Sequence, residues 1–113
     1  MTNKIYSLFI GRFQPLHEGH KKLFQTVLNE WGNVLVGLRD TKIDSNNPYT
    51  MSERIKMFKE VYEDELKNER MKLIELPDIK EVCYGRKVGW EIRKITLDEE
   101  TESISATKIR EVL

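Results

Sequence analysis

The stretch from Ile10 to Leu23 reads Ile-Gly-Arg-Phe-Gln-Pro-Leu-His-Glu-Gly-His-Lys-Lys-Leu and decides the fold of this 113-residue chain. An apolar run precedes it and apolar residues at helical spacing follow it, which predicts a strand, a tight turn and a helix. Both histidines of the chain, His17 and His20, lie in this turn. Free amides at a helix start, two imidazoles and nearby cations favour a phosphate site. A purely structural turn is the other open interpretation, because such motif matches carry false positives.

Length and composition indicate one globular domain that spans residues 1–113. The nineteen basic and nineteen acidic residues cancel, so the global charge gives no reason to expect nucleic-acid or membrane binding. Cys83 is the only cysteine, which excludes an intrachain disulfide and favours a reducing, cytoplasmic compartment. The apolar run near the N-terminus is too short for a signal sequence or a membrane span.

The beginning of the chain has the pattern of one βαβ unit. Lys4–Phe13 is predicted to be a strand buried on both faces, Glu18–Trp31 a helix, and Asn33–Arg39 a second strand parallel to the first. Ligands of such folds bind at the carboxyl ends of the strands. That rule predicts one crevice surrounded by Arg12, His17, Arg39, Asp40 and Lys42.

The middle of the chain predicts a loop, a second helix and a third strand. Thr41–Tyr49 is polar and contains Asn-Asn-Pro, which is typical of a loop. Thr50–Glu53 has the sequence of a capping box, which marks the start of a helix. The charged tract Glu63–Arg70 is predicted to be a solvated helix end and loop, and Met71–Leu76 is predicted to be a strand.

Two later runs complicate the predicted sheet. Val82–Arg86 and Glu91–Leu97 have the composition of short strands, but a parallel strand needs a crossover of about a dozen residues and neither run has room for one. The C-terminal half of the sheet is therefore predicted to be shortened, unless one of these runs is antiparallel or irregular. A shortened sheet leaves an exposed edge, which predicts a homo-oligomer.

Three segments resemble one enzyme family. Gly11–His20 resembles the first motif, H-x-G-H, of the nucleotidylyltransferase superfamily, and its Gly-Arg-Phe-Gln-Pro opening is most similar to the archaeal-type nicotinamide-nucleotide adenylyltransferases. Asn47–Arg54 is similar to the Asn-Pro-Phe-Thr-x-x-Glu-Arg segment of those enzymes, and Ile104–Arg110 resembles the second superfamily motif, I-S-x-T-x-x-R. The resemblance implies a compact Rossmann-like α/β fold, with a parallel sheet flanked by helices and a shortened C-terminal half.

The resemblance also implies roles for individual residues. The residues expected to act on the triphosphate are His17, His20, Lys42, Thr107 and Arg110. Those expected to bind the nucleotide are Gly11, Arg12, Phe13, Gly19, Gly85, Arg86, Ser105 and Thr107. Those expected to bind the acceptor are Arg39, Asp40, Arg54 and Trp90. Two of them have a plain alternative, since Arg54 can be an ordinary first-turn arginine and Trp90 can pack in the core; Lys21 and Arg54 would supply further cations.

The resemblance implies a reaction in which a substrate phosphate attacks the α-phosphorus of a nucleoside triphosphate and expels pyrophosphate, with Mg²⁺ bridging the phosphates. The implied partners are a nucleoside triphosphate and a phosphorylated small-molecule acceptor, with ATP and nicotinamide mononucleotide favoured. A cytidylyltransferase that uses CTP and a polyol or sugar phosphate is one alternative, and a nucleotide-binding module without turnover is another. A metal ion held by protein side chains is not expected, because only Glu18 joins the two histidines at ligand spacing.

Overall fold

The computed structural model describes residues 4–86 and 89–97. In chain order the elements are β1 (Tyr6–Gly11), α1 (Glu18–Asn29), β2 (Asn33–Asp40), α2 (Met51–Val61), α3 (Glu63–Lys67) and β3 (Met71–Pro77). The three strands are parallel and lie in the order β1-β2-β3. The predicted α/β fold, with a Rossmann-like parallel sheet and flanking helices, is confirmed. Within the described residues, every helix lacks the length and apolar character that crossing a membrane requires.

The core lies between one face of the sheet and the first two helices. Along β2 the alternate residues Val34, Val36 and Leu38 are fully buried, because side chains of a strand alternate between the two faces. They share a hydrophobic cluster with Phe24 of α1 and Phe58 of α2, whose ring centres lie 5.8 Å apart. Buried aromatic rings therefore contribute much of the packing energy of this small core.

In the described part of the chain β1 is an edge strand, and the prediction of a strand buried on both faces is wrong there. Among the described residues it pairs with β2 alone, and Leu8 is 52% exposed. Phe9 packs against the core, so the adjacent Leu8 lies on the opposite face of the sheet, which is open at this position. An apolar run alone does not show whether the second face of a strand is covered.

The two later runs, Val82–Arg86 and Glu91–Leu97, are irregular, so the prediction that they form strands is wrong. Side-chain contacts hold the second run in place. Arg93 donates two hydrogen bonds of 2.8 Å to the carboxylate of Glu30, and Ile95 packs against the core. The alternation of polar and apolar residues in this run is explained by one apolar contact and one ion pair. A strand is not required, because alternation reflects burial and not backbone pairing.

Arg70 closes the far end of α1. Its Nη2 donates to the carbonyl oxygens of Leu28 at 2.8 Å and Gly32 at 2.9 Å, and the end of a helix leaves such carbonyls without intrahelical partners. Arg70 follows α3 at the end of the predicted charged tract, which is a short helix and a loop as expected. This guanidinium is thus a structural contact at the end of α1 remote from the histidines.

Truncation of Phe24 tests the position of the core. The variant Phe24→Ala should lower the free energy of unfolding by about 3–5 kcal/mol, because it leaves a cavity where a ring with 1% exposure had packed. Leu8→Ala, at a half-exposed position, is the control and should cost about 1 kcal/mol or less. Denaturant titrations followed by circular dichroism measure both values, and equal losses would contradict the placement of the core on one face of the sheet.

Candidate functional site

Two stacked histidines begin α1. His17 is the N-cap residue, and its Nδ1 accepts a hydrogen bond from the Gly19 amide at 3.1 Å. The Nδ1 of His20 accepts from the His17 amide at 3.2 Å, and the two ring centres lie 3.7 Å apart. A nitrogen that accepts a hydrogen bond carries no proton, so each neutral ring carries its hydrogen on Nε2. Both rings are thereby fixed as Nε2 donors at the start of a helix.

Burial keeps both imidazoles neutral at physiological pH. Desolvation, with a further effect of the adjacent His17 ring, lowers the pKa of His20 to about 3. Desolvation also lowers the pKa of His17, against the opposing effect of the Glu18 carboxylate. Two imidazolium cations in stacking contact would repel each other, which favours the neutral pair. The pair therefore offers two hydrogen-bond donors and no net charge.

Phe13 supports His20 from the protein interior. Its backbone has a φ of +50°, which is uncommon for a residue with a side chain, and its ring is buried. The ring centre lies 4.8 Å from that of His20, and the ring also packs against Phe24 and Phe58. The ring is enclosed by the core, and contact of Phe13 with a nucleotide stays a prediction.

The two glycines of the turn have packing reasons of their own. A Cβ atom at Gly11 would lie 3.1 Å from Cζ of Phe13, which is tighter than ordinary contacts. Gly19 is buried, and its amide donates to the ring of His17. The absence of a side chain at Gly11 lets the Phe13 ring take its place, and the backbone amide of Gly19 fixes the His17 ring. Contact of either glycine with a nucleotide stays a prediction.

Gln14 joins the turn to the loop between β2 and α2, a role that the sequence did not reveal. The side chain is fully buried. Its Oε1 accepts from the Tyr49 amide at 2.9 Å, and its Nε2 donates to the Tyr49 carbonyl at 3.0 Å. Beside it, Nη1 of Arg12 donates to Oδ1 of Asn47 at 3.2 Å. The sequence signal that could have revealed this role is a polar residue within the apolar run Phe-Gln-Pro-Leu, because a buried amide needs hydrogen-bond partners.

Arg54 is completely buried, and its predicted contact with a substrate phosphate stays a prediction. Its Nη1 donates to the carbonyl oxygens of Arg12 at 2.9 Å and Arg39 at 2.7 Å, and its Nε donates to the Thr50 carbonyl at 3.3 Å. The alternative of an ordinary first-turn arginine is wrong, because such a side chain would lie in solvent. The guanidinium connects the ends of β1 and β2 to the start of α2.

The other cations predicted near the strand ends differ in their engagement. Nη2 of Arg39 lies 2.7 Å from Oδ1 of Asp78, in the segment after β3. Lys21 forms an ion pair of 3.1 Å with Glu18, one helical turn before it. Asp40, the last residue of β2, and Lys42, in the loop after it, are exposed. The structure thus brings Arg39, Asp40 and Lys42 to the same end of the sheet as the histidine turn, which the topology rule predicts.

The predicted site residues closer to the C-terminus are exposed where the structure describes them. Trp90 is 48% exposed and its ring lies 6.2 Å from that of Tyr84, so the alternative of core packing is wrong. The irregular segment after β3 also exposes Gly85 and Arg86. The three predicted site residues of the second motif lie outside the described residues; they are Ser105, Thr107 and Arg110. Their convergence with the histidines stays a prediction.

Two further features bear on what the turn can bind. Within residues 4–86 and 89–97, histidine, cysteine and carboxylate side chains form no group of three that could hold a metal ion. A groove of about 550 Å³ lies between α2, α3 and β3, with Leu38, Ile55 and Leu66 in its wall. Neither histidine lines that groove, so the candidate site is the turn between β1 and α1.

The buried histidine predicts a pH dependence of stability. The pKa of His20 is lower in the folded protein than in the unfolded chain. The contribution of His20 to the free energy of unfolding is therefore complete above the unfolded pKa of 6.5 and is lost as the pH falls towards 3. In His20→Asn the free energy of unfolding should therefore fall less between about pH 7 and pH 5 than in the wild type. Denaturant titrations at both pH values measure this, and identical falls would show that His20 is not held neutral.

Comparisons with known proteins agree with the motifs. The profile of a family described as cytidylyltransferase-like matches residues 8–81, more than half of the chain. The nicotinamide-nucleotide adenylyltransferase of Thermococcus kodakarensis is 41% identical over 75 residues, which cover 64% of this chain and 40% of the relative. The protein of the same name from Pyrococcus horikoshii is 38% identical over 77 residues, which cover 66% and 41%.

A relative from a different archaeal genus, the nicotinamide-nucleotide adenylyltransferase of Methanolobus tindarius, is 35% identical over 60 residues, which cover 51% of this chain and 35% of the relative. This chain therefore spans about two-fifths of the length of the curated relatives it matches. The matched region includes the histidine turn, β2, both helices that follow it and β3. With the resemblance of the first motif thus confirmed, the chain belongs to the cytidylyltransferase-like family of nucleotidylyltransferases.

Proposed function

We propose that this chain transfers the adenylyl group of ATP to the phosphate of an acceptor of the nicotinamide mononucleotide kind. One observation carries the proposal: the hydrogen bonds to both Nδ1 atoms leave His17 and His20 as paired Nε2 donors at a helix N-terminus, where phosphates bind. The names of the archaeal relatives support both the adenylyl group and the acceptor. The histidine hydrogen-bond donors act on the phosphates of the nucleotide, and the acceptor supplies the phosphate that attacks it.

The chemistry needs no nucleophile from the protein. An oxygen of the acceptor phosphate attacks the α-phosphorus of ATP, the bond from that phosphorus to the oxygen bridging to the β-phosphate breaks, and pyrophosphate leaves with the electron pair. Charge builds on the phosphate oxygens during this displacement, so neutral donors aimed at them stabilise the transition state. His17 and His20 are the proposed donors. Thr107 and Arg110 are proposed to hold the β- and γ-phosphates.

Mg²⁺ is proposed to arrive with the nucleotide. The described residues offer no cage of acidic side chains, and Mg²⁺ is commonly held by substrate phosphates and water with few protein ligands. The cations proposed to balance the remaining phosphate charge are Arg12 and Lys42, both exposed at the carboxyl end of the sheet. Gly85, Arg86 and Trp90 are proposed to contact the nucleotide or acceptor from the segment after β3.

Cytidylyl transfer from CTP to a polyol or sugar phosphate is the second candidate, because the matching family is described by that chemistry. The proposed assembly is a homo-oligomer in either case. The edge of β1 supports it, since in the described part of the chain this strand pairs on one side only and exposes Leu8.

A pyrophosphate-release screen decides between these candidates. ATP and CTP, each with Mg²⁺, are tested against nicotinamide mononucleotide, glycerol phosphate and sugar phosphates. Release should be seen with ATP and nicotinamide mononucleotide, because the acceptor phosphate and the nucleotide must both fit for attack to occur. Release with CTP alone would favour the second candidate, and nucleotide binding without release in any combination would indicate a module without turnover.

Substitution of His20 tests the proposed donors. In His20→Asn the side-chain oxygen can replace Nδ1 as acceptor for the His17 amide, but no group remains at the position of Nε2. Turnover should fall by about 10²–10³-fold while the melting temperature changes little, because one donor to the transition state is lost. His20→Gln is the matched control, since its amide lies near the Nε2 position, and it should recover part of the activity. Wild-type turnover in His20→Asn would remove the histidine from the mechanism.

A further inference from the structure

Arg54 differs from every other cation near the histidine turn in its burial. Its side chain has no exposed surface, and its three described hydrogen bonds all go to backbone carbonyl oxygens, those of Arg12, Arg39 and Thr50. Nη2 has no hydrogen-bond partner among the described residues. A buried guanidinium that donates only to neutral groups is costly, because charge buried in a protein is normally paired, and the nearby carboxylate of Asp40 offsets only part of that cost.

The carbonyl oxygens that Arg54 binds belong to the site. Arg12 follows the last residue of β1, and Arg39 is the penultimate residue of β2. Both therefore lie at the end of the sheet where the phosphates are proposed to bind, and their carbonyl dipoles place partial negative charge there. An anionic phosphate is repelled by such oxygens unless a cation engages them.

Arg54 also fixes the backbone that orients the histidines. Its bond to the Arg12 carbonyl holds the residue that immediately precedes Phe13, and the Phe13 ring lies against His20. On the other side of Phe13, Gln14 is held by Tyr49. The turn is thus anchored on both sides of Phe13 by buried side chains, and of the two only Arg54 carries charge.

We propose that Arg54 is a positioning residue of the nucleotide site, which acts on the phosphates without touching them. It neutralises the carbonyl oxygens at the ends of β1 and β2, holds Arg12 and the turn in their geometry, and places a positive charge behind the phosphates. This inference rests on the proposed function, because it assigns Arg54 to the binding of the same triphosphate. It replaces direct phosphate contact by action through the backbone.

Arg70 provides a matched control for this proposal. Its guanidinium also donates to two backbone carbonyl oxygens, at 2.8 and 2.9 Å, but at the far end of α1. Arg54→Met and Arg70→Met therefore remove similar contacts from the two ends of the molecule. If Arg54 had only a structural role, the two substitutions would lower the melting temperature and leave the affinity of the folded protein for nucleotide unchanged.

Calorimetric titration with ATP and Mg²⁺ at a temperature where both variants are folded separates these cases, with CTP used if the wild type binds that nucleotide. The dissociation constant should rise about tenfold or more in Arg54→Met and should stay at the wild-type value in Arg70→Met. Wild-type affinity in Arg54→Met, or equal weakening in both variants, would overturn the proposal. A wild-type chain that binds neither nucleotide would overturn the proposed function, and this inference with it.

Arg54→Lys separates charge from geometry and decides the matter if Arg54→Met does not fold. An ammonium group keeps the positive charge but lacks the planar fork that engages carbonyl oxygens in different directions. Affinity for ATP should therefore stay within about threefold of the wild type, while turnover should fall about tenfold or more because the turn is less well held. Wild-type turnover in Arg54→Lys would contradict the positioning role.

Discussion

The rest of the site depends on the burial of the Phe13 ring beneath the turn. This one side chain belongs at once to the core, where it meets Phe24 and Phe58, and to the site, where it meets His20. Because the ring points inward, the chain on either side must pass around it with a positive φ at Phe13, and Gly11 must lack a side chain. The geometry of the histidines is therefore set by the same packing that stabilises the domain.

The part of the fold that was predicted correctly is the part with a strong local signal. The strand, turn, helix and strand at the start of the chain follow from hydrophobic periodicity, and the second helix begins at the capping box on Thr50. The errors concern partners remote in sequence. No local pattern shows that β1 pairs on one side only within the described part of the chain, or that Glu91–Leu97 is anchored by Arg93 and Ile95 to other elements instead of pairing in the sheet.

The site shows the same division between local and long-range information. The two histidines were found from the local sequence, because groups three positions apart stack within one helical turn. The residues that hold them were given a different role or none. Arg54 and Gln14 act across separations of 42 and 35 residues. The sequence alone does not distinguish a buried arginine that binds carbonyl oxygens from an arginine that binds phosphate.

The source of the proposed attraction for a nucleotide follows from these placements. The histidines are neutral, and the whole chain carries no net charge, so neither imidazolium groups nor a general positive field can supply it. The charge must come from local guanidinium and ammonium groups, of which Arg39 is already paired with Asp78 while Arg54 is sealed in the core. Separating charge from hydrogen-bond donation in this way allows the histidines to remain donors of fixed tautomer while other side chains supply the electrostatic attraction.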